Sequence, residues 1–565
     1  MRLSHSTVLV LVAAVLSMAA SSPARVPTRQ PETGSIDHTL DEYLKRFASY
    51  GYAFSFLAAR DGRVVLAKAY GTGLTTESVF NIASVSKQFT ATAILKLVQE
   101  RKLSLSDPIS RYLPGAPASF ANITVDHLLA HTSGIRDDYG LYERLPKPDA
   151  REIKDEVYKR TLGSKPGEMW EYSNDGYWLL AMIVQTVARQ PFADFVRDNF
   201  FKPAGMTNSG FMSDRWPQSQ WPTPFGGSLP PEPRGKEWSG RLGPSAVVST
   251  PGDLFRWQQA LESGRVLRSD LVARLTEPQI VAIAPTLSYA RGWWVRQANL
   301  GVGPVLNVFH SGVEDDGSNA WFSRFPDRRL SLIFTSHQAW EGVPLREALF
   351  AAGAASPLEA LLFGGEVAMP PPVQSVEVTP FAGRYRLAGG AWIEVAAAMP
   401  FLKLIPHGQA AFDMLLPDGS GETAAAVLLS ATERTKHVMD RLAGGDISPF
   451  RQAVGDRDDG SVLQPPLFDT FEVLGSYPLR TITTKRQLVI THAFLTRSGQ
   501  RSHYHFHWDG DSLVRLWRDD QPIIPGFRAV GPQVFANLHP FIRGTTRIRF
   551  INGLLIAAGK EARIE

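Results

Sequence analysis

Residues 81–109 read NIASVSKQFTATAILKLVQERKLSLSDPI, and this stretch determines how the rest of the chain is interpreted. Ser84 and Lys87 stand three positions apart, and the apolar residues that follow keep a helical period, with Phe89 and Ala93 on one stripe. Side chains at positions i and i+3 of a helix lie about 5–6 Å apart at Cβ, so Lys87 can reach the Ser84 hydroxyl. The pattern predicts an amphipathic helix that begins at Ser84.

The Ser84–Lys87 pair has a chemical interpretation and a plain one. A serine hydroxyl is a weak nucleophile until a neighbouring base removes its proton, and a lysine with a depressed pKa can be that base. Backbone N–H groups at a helix N-terminus would favour the oxyanion that forms on attack. Taken alone, Ser-x-x-Lys fits a solvated helix face equally well, because this spacing is common in long chains.

Three later segments favour the chemical interpretation. Residues 172–174, Tyr-Ser-Asn, precede an apolar helical pattern, so a loop there can point a phenol and an amide into a cleft. Residues 310–312, His-Ser-Gly, end an apolar strand, where a glycine lets a ligand lie close to the backbone. Residues 127–134, HLLAHTSG, predict a helix end and a turn, in which His131 and Ser133 are interpreted as stabilising the turn.

The surrounding pattern predicts an α+β domain. Apolar residues alternate before Asp61-Gly62 and form a short run after it, which indicates a β-hairpin with a type I′ turn and positive φ at both central residues. Further helical patterns fall at residues 125–130, 176–188, 191–201 and 251–263. Strand-like runs fall at residues 305–310, 320–325 and 330–335. The order of these elements is a hairpin, then helices, then strands. This order predicts one antiparallel sheet that contains strands from both ends of the domain.

Together these segments resemble the serine β-lactamase-like superfamily, in the branch that holds class C β-lactamases, D-alanyl-D-alanine carboxypeptidases and family VIII esterases. The resemblance covers about residues 38–365. It rests on residues 81–109, ITVDHLLAHTSGI (123–135), KPGEMWEYSNDGYWLLAMIVQTV (165–187), VVSTPGDLFRWQQAL (247–261) and FHSG (309–312). It implies a β-lactamase/transpeptidase-like domain, with an antiparallel sheet flanked by helices and a helical subdomain.

The resemblance also implies catalytic roles at the matching positions. Ser84 would form the acyl-enzyme. Lys87 and Tyr172 would share the duties of general base and proton shuttle, and which of them is the base stays open. The resemblance implies neither a metal nor a cofactor.

Four further positions are implied to bind substrate. Asn174 would bind a substrate amide or carbonyl. The backbone N–H groups of Ser84 and Val313, which follows Gly312, would form the oxyanion hole. His310 stands where many β-lactamases carry lysine, and it would contact a substrate carboxylate or the proton network of the tyrosine in the Tyr-Ser-Asn segment.

Histidine at position 310 is a departure that bears on the substrate. An imidazole is only partly protonated at pH 7, so it weakens the fixed positive charge that a lysine would supply. This argues against efficient hydrolysis of carboxylate-bearing β-lactams. It suits an esterase or a D-amino-acid peptidase.

Composition sets the outer limits. The chain has 565 residues, of which 44% are hydrophobic and 20% charged, so it is globular and long enough for two or three domains. Its 59 basic residues nearly balance 55 acidic ones and form no dense run, which argues against a nucleic-acid partner. The sequence contains no cysteine, which excludes disulfides, thiol catalysis and a lipobox lipid anchor.

The two ends of the chain are interpreted separately from this domain. Arg2, the apolar run 8–16 and the small residues that follow predict a signal peptide at residues 1–24, and so a secreted or periplasmic protein without a stable membrane span. The hydrolase domain is predicted at residues 35–365, followed by a proline-rich linker at 366–380.

Residues 381–565 predict a mainly β C-terminal region. The segments at its two ends resemble the halves of a small β-barrel, with a cystatin-like insertion expected at about 428–512. The alternating histidines of residues 503–507 are interpreted as a polar strand face rather than a metal site.

The sequence therefore predicts an exported serine hydrolase that transfers acyl groups through a covalent acyl-serine. Its expected substrates are small esters or D-amino-acid peptides, with slow β-lactam hydrolysis at most. One alternative is a D,D-carboxypeptidase or penicillin-binding protein acting on cell-wall peptides. Another is a β-lactam or peptide sensor that is acylated but does not turn over. The oligomeric state stays open.

Overall fold

A computed structural model describes most of the chain between residues 33 and 564. The described ranges are residues 33–136, 150–212, 214, 242–284, 287–299, 303–314, 318–337, 356–398, 401–415, 422–443, 470–479, 488–497, 500–509, 512–519, 524–537, 546–551, 554–557 and 560–564. The predicted signal peptide lies outside these ranges. Among the helices they contain, none has the length and apolarity needed to cross a bilayer.

The N-terminal part of the chain combines strands and helices as the α+β prediction requires. Its strands are β1 (Phe54–Arg60), β2 (Arg63–Tyr70), β3 (Phe80–Asn81), β4 (Gly210–Phe211), β5 (Val247–Ser249), β6 (Ile280–Ala284), β7 (Leu287–Tyr289), β8 (Trp294–Asn299), β9 (Pro304–Val313), β10 (Ser318–Phe325) and β11 (Leu330–His337). Its helices are α1 (Thr33–Ser49), α2 (Lys87–Gln99), α3 (Val125–Leu129), α4 (Ala150–Tyr158), α5 (Asn174–Ala188), α6 (Phe192–Val196), α7 (Lys202–Ala204), α8 (Pro251–Glu262), α9 (Ser269–Thr276) and α10 (Pro357–Leu362).

Eight of these strands form one antiparallel sheet in the order β2-β1-β11-β10-β9-β8-β7-β6. The first hairpin of the chain thus pairs with the last strand of this part, which confirms that both ends feed one sheet. Its turn has φ of +53° at Asp61 and +75° at Gly62, as expected for a type I′ turn. The strand side chains alternate between two apolar layers, because successive residues point to opposite faces.

One layer holds the helical subdomain. Phe89 of α2 packs against Trp257 of α8, with ring centroids 4.6 Å apart, and edge-on against Phe201 at 5.3 Å. Val308 of β9 faces this layer, whereas Phe309 faces the other, in which α1 and α10 cover the sheet. Helix α2 is therefore buried between the sheet and the remaining helices, and the turn that precedes it is held against β9.

The C-terminal region is mainly β, as predicted. Eight strands close into a barrel: β12 (Gly383–Arg386), β13 (Trp392–Ala398), β14 (Phe401–His407), β19 (Ile524–Gly531), β20 (Val534–Asn537), β21 (Thr546–Ile551), β22 (Leu554–Ala557) and β23 (Lys560–Ile564). Between β14 and β19 come α11 (Gln409–Leu415), α12 (Glu422–Ala443) and a four-stranded sheet of β15 (Thr470–Leu479), β16 (Leu488–Arg497), β17 (Gln500–Asp509) and β18 (Ser512–Asp519). The segment expected as an insertion falls on α12 and this sheet.

Hydrogen bonds to backbone carbonyls connect the barrel with the N-terminal part and with the proline-rich segment. Gln374 N–H donates to the Ala529 carbonyl of β19 at 2.6 Å. The Arg528 guanidinium donates to the carbonyl of Tyr50, which follows α1, at 3.3 Å, and the Tyr50 hydroxyl donates to the Pro371 carbonyl at 3.1 Å. The proline-rich segment is thus held between α1 and the barrel.

Candidate active site

Ser84 lies in a tight turn rather than in the helix that its motif predicted. Residues Ala83–Ser86 form one 3₁₀ turn, and α2 begins only at Lys87. Ala83 has φ of +47°, an uncommon value for a residue with a side chain, and its N–H is bound by the Asn81 side-chain oxygen at 2.8 Å. The helical turn therefore starts close to the predicted position, but its first residues are of the 3₁₀ type and the α-helix begins three residues later, at Lys87.

Lys87 is buried, and its ammonium nitrogen lies among three oxygens. Nζ is 3.0 Å from Ser84 Oγ, 2.7 Å from Asn174 Oδ1 and 3.2 Å from the Pro244 carbonyl. A protonated lysine can donate to all three. A neutral amine can donate to Asn174 and Pro244, which accept only, and use its lone pair for the Ser84 proton. The same heavy-atom positions therefore suit both protonation states of Lys87.

Tyr172 and Asn174 are brought to Lys87 by the start of α5. Ser173 caps this helix, since its Oγ accepts a hydrogen bond from Gly176 N–H at 3.1 Å. The cap fixes the residues on either side of it. Tyr172 places its ring 4.8 Å from Lys87 Nζ, and Asn174 reaches the same nitrogen with its side-chain oxygen.

Gly312 brings strand β9 against the Ser84 turn. A Cβ at this position would lie 2.3 Å from the Ile82 carbonyl oxygen and 2.8 Å from Ser84 N. Only a glycine fits such an approach without a shift of the turn. The described pairs of β8 with β9 end at Phe309, so this edge of β9 beyond Phe309 faces the turn instead of a strand.

The register of β9 sets the direction of the Val313 N–H. Glu314 N–H donates to the Ser318 carbonyl at 2.9 Å, so Glu314 bonds towards β10. Neighbouring residues of an antiparallel strand direct their N–H groups to opposite edges. Val313 N–H therefore points to the edge that faces Ser84, and the Val313 side chain is 36% exposed.

His310 is 1% exposed, and both of its ring nitrogens are bonded within the protein. Nδ1 is 2.7 Å from the Ser311 carbonyl, which can only accept, so Nδ1 carries a proton. Nε2 is 3.1 Å from the Tyr289 hydroxyl and accepts its proton. Burial, with a smaller effect of the Lys87 charge, lowers the pKa of His310 to about 3, so this imidazole is neutral at pH 7.

A family model described as Beta-lactamase matches residues 37–354, which is more than half of the chain. The chain belongs to the β-lactamase family. This places it, as its motifs predicted, among the serine hydrolases of the β-lactamase-like superfamily, and it agrees with the observed fold.

Two kinds of relative accompany this match. Penicillin-binding protein 4* of Bacillus subtilis (strain 168) is 30% identical over 335 residues, which are 54% of this chain and 72% of that protein. The octameric penicillin-binding protein homologue of Pyrococcus abyssi is similar in structure, with a TM-score of 0.50 and 19% identity over 85% of this chain and 97% of that one. The D-amino acid amidase of Ochrobactrum anthropi SV3 aligns over 54% of this chain and 92% of its own, at 24% identity and a TM-score of 0.47.

In this β-lactamase-family site, His131 lies directly behind Tyr172. Its ring centroid is 4.3 Å from that of Tyr172, and its Nδ1 accepts from Ser173 N–H at 3.0 Å. Burial, and then the charge of Lys87, hold the pKa of His131 well below its usual value. His131 thus supports the Tyr-Ser-Asn segment as well as its own turn.

Two contributors to the site escaped the sequence reasoning. The Pro244 carbonyl is a backbone group, and no pattern of side chains predicts that it will contact Lys87. Tyr289 lies within SYARGWWV, where it is one more aromatic residue in an apolar run. A search for polar residues that follow strands would not have found either of them.

Within the described parts of the chain, no group of three or more histidine, aspartate or glutamate side chains has an arrangement suitable for a metal ion. His503, His505 and His507 occupy alternate positions of β17, and their side chains are outside the described set.

Proposed function

We propose that this chain is an exported hydrolase that transfers acyl groups through a covalent acyl-Ser84 intermediate, with small esters or D-amino-acid peptides as substrates. The observation that carries the proposal is the set of contacts of Lys87 Nζ. Asn174 Oδ1 and the Pro244 carbonyl can only accept hydrogen bonds, so each accepts one from Lys87 Nζ. The lone pair of the neutral amine then points at Ser84 Oγ. A base held in this way needs no rearrangement before it removes the serine proton.

Acylation would begin when a proton leaves Ser84 and Oγ attacks the substrate carbonyl carbon. The carbonyl oxygen becomes an oxyanion, which the N–H groups of Ser84 and Val313 would bind. The bond to the leaving group then breaks, and the alkoxide or amine takes the proton that Ser84 gave up. Water attacks the ester so formed, releases the acid and restores the Ser84 hydroxyl.

Lys87 and Tyr172 divide the proton transfers in this scheme. Lys87 contacts the nucleophile directly, whereas the Tyr172 ring lies against the Lys87 side-chain nitrogen. Lys87 therefore suits the removal of the serine proton. We assign Tyr172 to the delivery of that proton to the leaving group.

A second candidate function is that of a D,D-carboxypeptidase or penicillin-binding protein. It is favoured by the 30% identity with Penicillin-binding protein 4* of Bacillus subtilis. The two functions differ in the leaving group, because a carboxypeptidase releases an amino acid that bears a carboxylate. Export rests on residues 1–24, with their charged start, short apolar run and small-residue exit.

The test is the change Ser84→Ala, examined with a fluorescent phosphonate and with a panel of acyl esters, D-Ala-D-Ala peptides and nitrocefin. Ser84→Ala should abolish labelling and turnover. Ser86→Ala is the matched control, because Ser86 Oγ is buried and accepts from Val247 N–H, so this variant should still be labelled.

Two results would count against the proposal, and a third would decide between the two candidate functions. Labelling that persists in Ser84→Ala would exclude Ser84 as the nucleophile. Release of one equivalent of product without further turnover would indicate a sensor. Turnover of D-Ala-D-Ala peptides but not of esters would favour the carboxypeptidase.

A further inference from the structure

The Tyr289 hydroxyl has a single proton, and its neighbours determine where that proton goes. The nearby Tyr177 hydroxyl donates its own proton to the Leu129 carbonyl at 2.8 Å, and its oxygen is also in hydrogen-bonding contact with Tyr289. His310 carries its proton on Nδ1, which faces the Ser311 carbonyl, so Nε2 has only a lone pair to offer. Tyr289 therefore donates to His310. This bond can form only while Nε2 is unprotonated.

The groups that surround His310 reinforce its neutral state. Lys87 approaches from α2, and whenever it is protonated its positive charge opposes a second charge nearby. His131 approaches from the turn after α3, is itself neutral, and packs its ring 4.6 Å from that of Tyr289. The Tyr172 ring lies 6.4 Å from the His310 ring. Burial raises the pKa of Tyr289 well above its usual value, so Tyr289 remains a donor across the working pH range.

We propose that Tyr289 is a specificity-determining positioning residue, which holds His310 as a neutral imidazole and so makes the site select acyl donors that carry no carboxylate next to the scissile bond. This inference rests on the proposed acyl transfer at Ser84 and narrows its substrate class to neutral esters and amides.

The selectivity follows from the cost of burying charge. A carboxylate that enters a cleft loses hydration, and it binds well only where a cation or several donors replace the lost water. His310 offers neither, because one nitrogen already donates to the Ser311 carbonyl and the other accepts from Tyr289. Lys87 is engaged by Ser84, Asn174 and Pro244. A neutral leaving group meets no such penalty.

The test compares two nearly isosteric esters, 3-carboxyphenyl acetate and 3-carbamoylphenyl acetate, between about pH 5 and pH 8, where the first stays ionised. The measured quantity is the ratio of kcat/KM for the carboxylate to kcat/KM for the amide. In the unaltered enzyme this ratio should lie below one and stay flat across the range. In His310→Lys, which supplies a permanent cation, it should exceed one.

Tyr289→Phe tests the positioning role itself. Loss of the hydrogen bond to Nε2 removes a contact that only the neutral imidazole can make, so protonation of His310 becomes easier. One lost hydrogen bond corresponds to about one pKa unit, so the protonated fraction of His310 at pH 5 should rise from about one hundredth to about one tenth, and the ratio should rise towards the acid end of the range. Tyr385→Phe is the matched control. It removes a buried tyrosine hydroxyl of the barrel, which donates to the Phe381 carbonyl at 3.0 Å, and its ratio should stay flat.

The outcomes separate this inference from the proposed function. If neither ester is hydrolysed in a Ser84-dependent manner, the acyl-transfer proposal itself fails. If both are hydrolysed but the unaltered enzyme prefers the carboxylate, or His310→Lys leaves the ratio unchanged, only the selectivity inference is overturned. A flat ratio in Tyr289→Phe, or an equal rise in Tyr385→Phe, would overturn the role of Tyr289.

Discussion

Gly312 stands where strand β9 comes closest to the nucleophile turn, and this contact can be tested at the scale of one atom. Gly312→Ala would place a Cβ 2.3 Å from the Ile82 carbonyl oxygen, so either the turn or the strand must move. A displacement of about 1 Å at a catalytic group can cost about a hundredfold in rate. We expect a loss of that order in kcat/KM for a neutral ester, with a loss of about 1–3 kcal/mol in the free energy of unfolding.

Gly252→Ala is the control for this substitution. Gly252 lies in the first turn of α8, and its added Cβ would meet the nearest atoms at 3.7 Å and 3.9 Å, which are ordinary contact distances. Its kcat/KM should match that of the unaltered enzyme. Normal turnover in Gly312→Ala would show that β9 does not need its close approach to Ser84.

At this scale the sequence predicted side chains better than the atoms around them. Ser84, Lys87, Tyr172 and Asn174 could be singled out because each supplies a functional group within a recognisable segment, and the fold brings Lys87 within hydrogen-bonding distance of both Ser84 and Asn174. The Pro244 carbonyl could not be singled out from the sequence. Every residue has a carbonyl, and only the tertiary fold places this one next to Lys87.

Helix α5 links stability to catalysis through its cap. Ser173→Ala removes the Oγ that accepts from Gly176 N–H, and an N-cap of this kind contributes about 1 kcal/mol. Because Tyr172 and Asn174 flank the cap, the freed segment should also position them less well. We expect a loss of about 1 kcal/mol in urea unfolding together with a lower kcat for ester hydrolysis.

Thr250→Ala separates these two effects. Thr250 caps α8 by accepting from Asp253 N–H at 3.1 Å, and its carbonyl accepts from Leu254 N–H and the Ser249 hydroxyl, which are not residues of the site. Thr250→Ala should lower the free energy of unfolding by about as much as Ser173→Ala does, while its kcat stays unchanged. A parallel fall of kcat in both variants would mean that the loss reflects general destabilisation.

The elements themselves were largely predictable, and their ends were not. The hairpin, α5, α8 and strands β9 to β11 all fall where apolar periodicity placed them, because packing on one face imposes that period. The α-helix begins at Lys87 rather than at Ser84, since residues 83–86 form a 3₁₀ turn that opens with a positive φ at Ala83. A backbone angle of this kind leaves no mark in hydrophobic periodicity.

Over the whole molecule, the barrel joins the same end of the sheet that carries the site. Val313 pairs with Asn319, Asn319 with Ser336, and Ser336 with Phe54, so one row of residues crosses four strands. Adjacent strands lie about 4.8 Å apart, which puts Phe54 roughly 15 Å from Val313. Tyr50, which accepts from Arg528 of the barrel, lies four residues before Phe54. The C-terminal region is therefore anchored near the catalytic end of the sheet.

The buried imidazoles tie the stability of the N-terminal part to pH. His310 has a pKa of about 3 in the folded chain against an ordinary 6.5, so between these values the unfolded chain binds the additional proton. Stability contributed by the neutral ring is therefore complete above pH 6.5 and is lost as pH falls towards 3, at up to about 1.4 kcal/mol per pH unit. His131, lowered in the same direction, adds to this slope.

His310→Asn removes one of these titrations and keeps a polar group at the same place. The variant should be less stable than the unaltered chain at pH 7, because it loses the bonds to Tyr289 and to the Ser311 carbonyl. The difference in the free energy of unfolding should then shrink by about 1.4 kcal/mol for each pH unit below 6.5, as the unaltered chain loses its own advantage. Urea unfolding at several pH values measures this difference directly, since all groups other than position 310 cancel between the two proteins. Parallel curves would mean that His310 keeps its ordinary pKa in the folded state, and the neutral site inferred from its two hydrogen bonds would then be wrong.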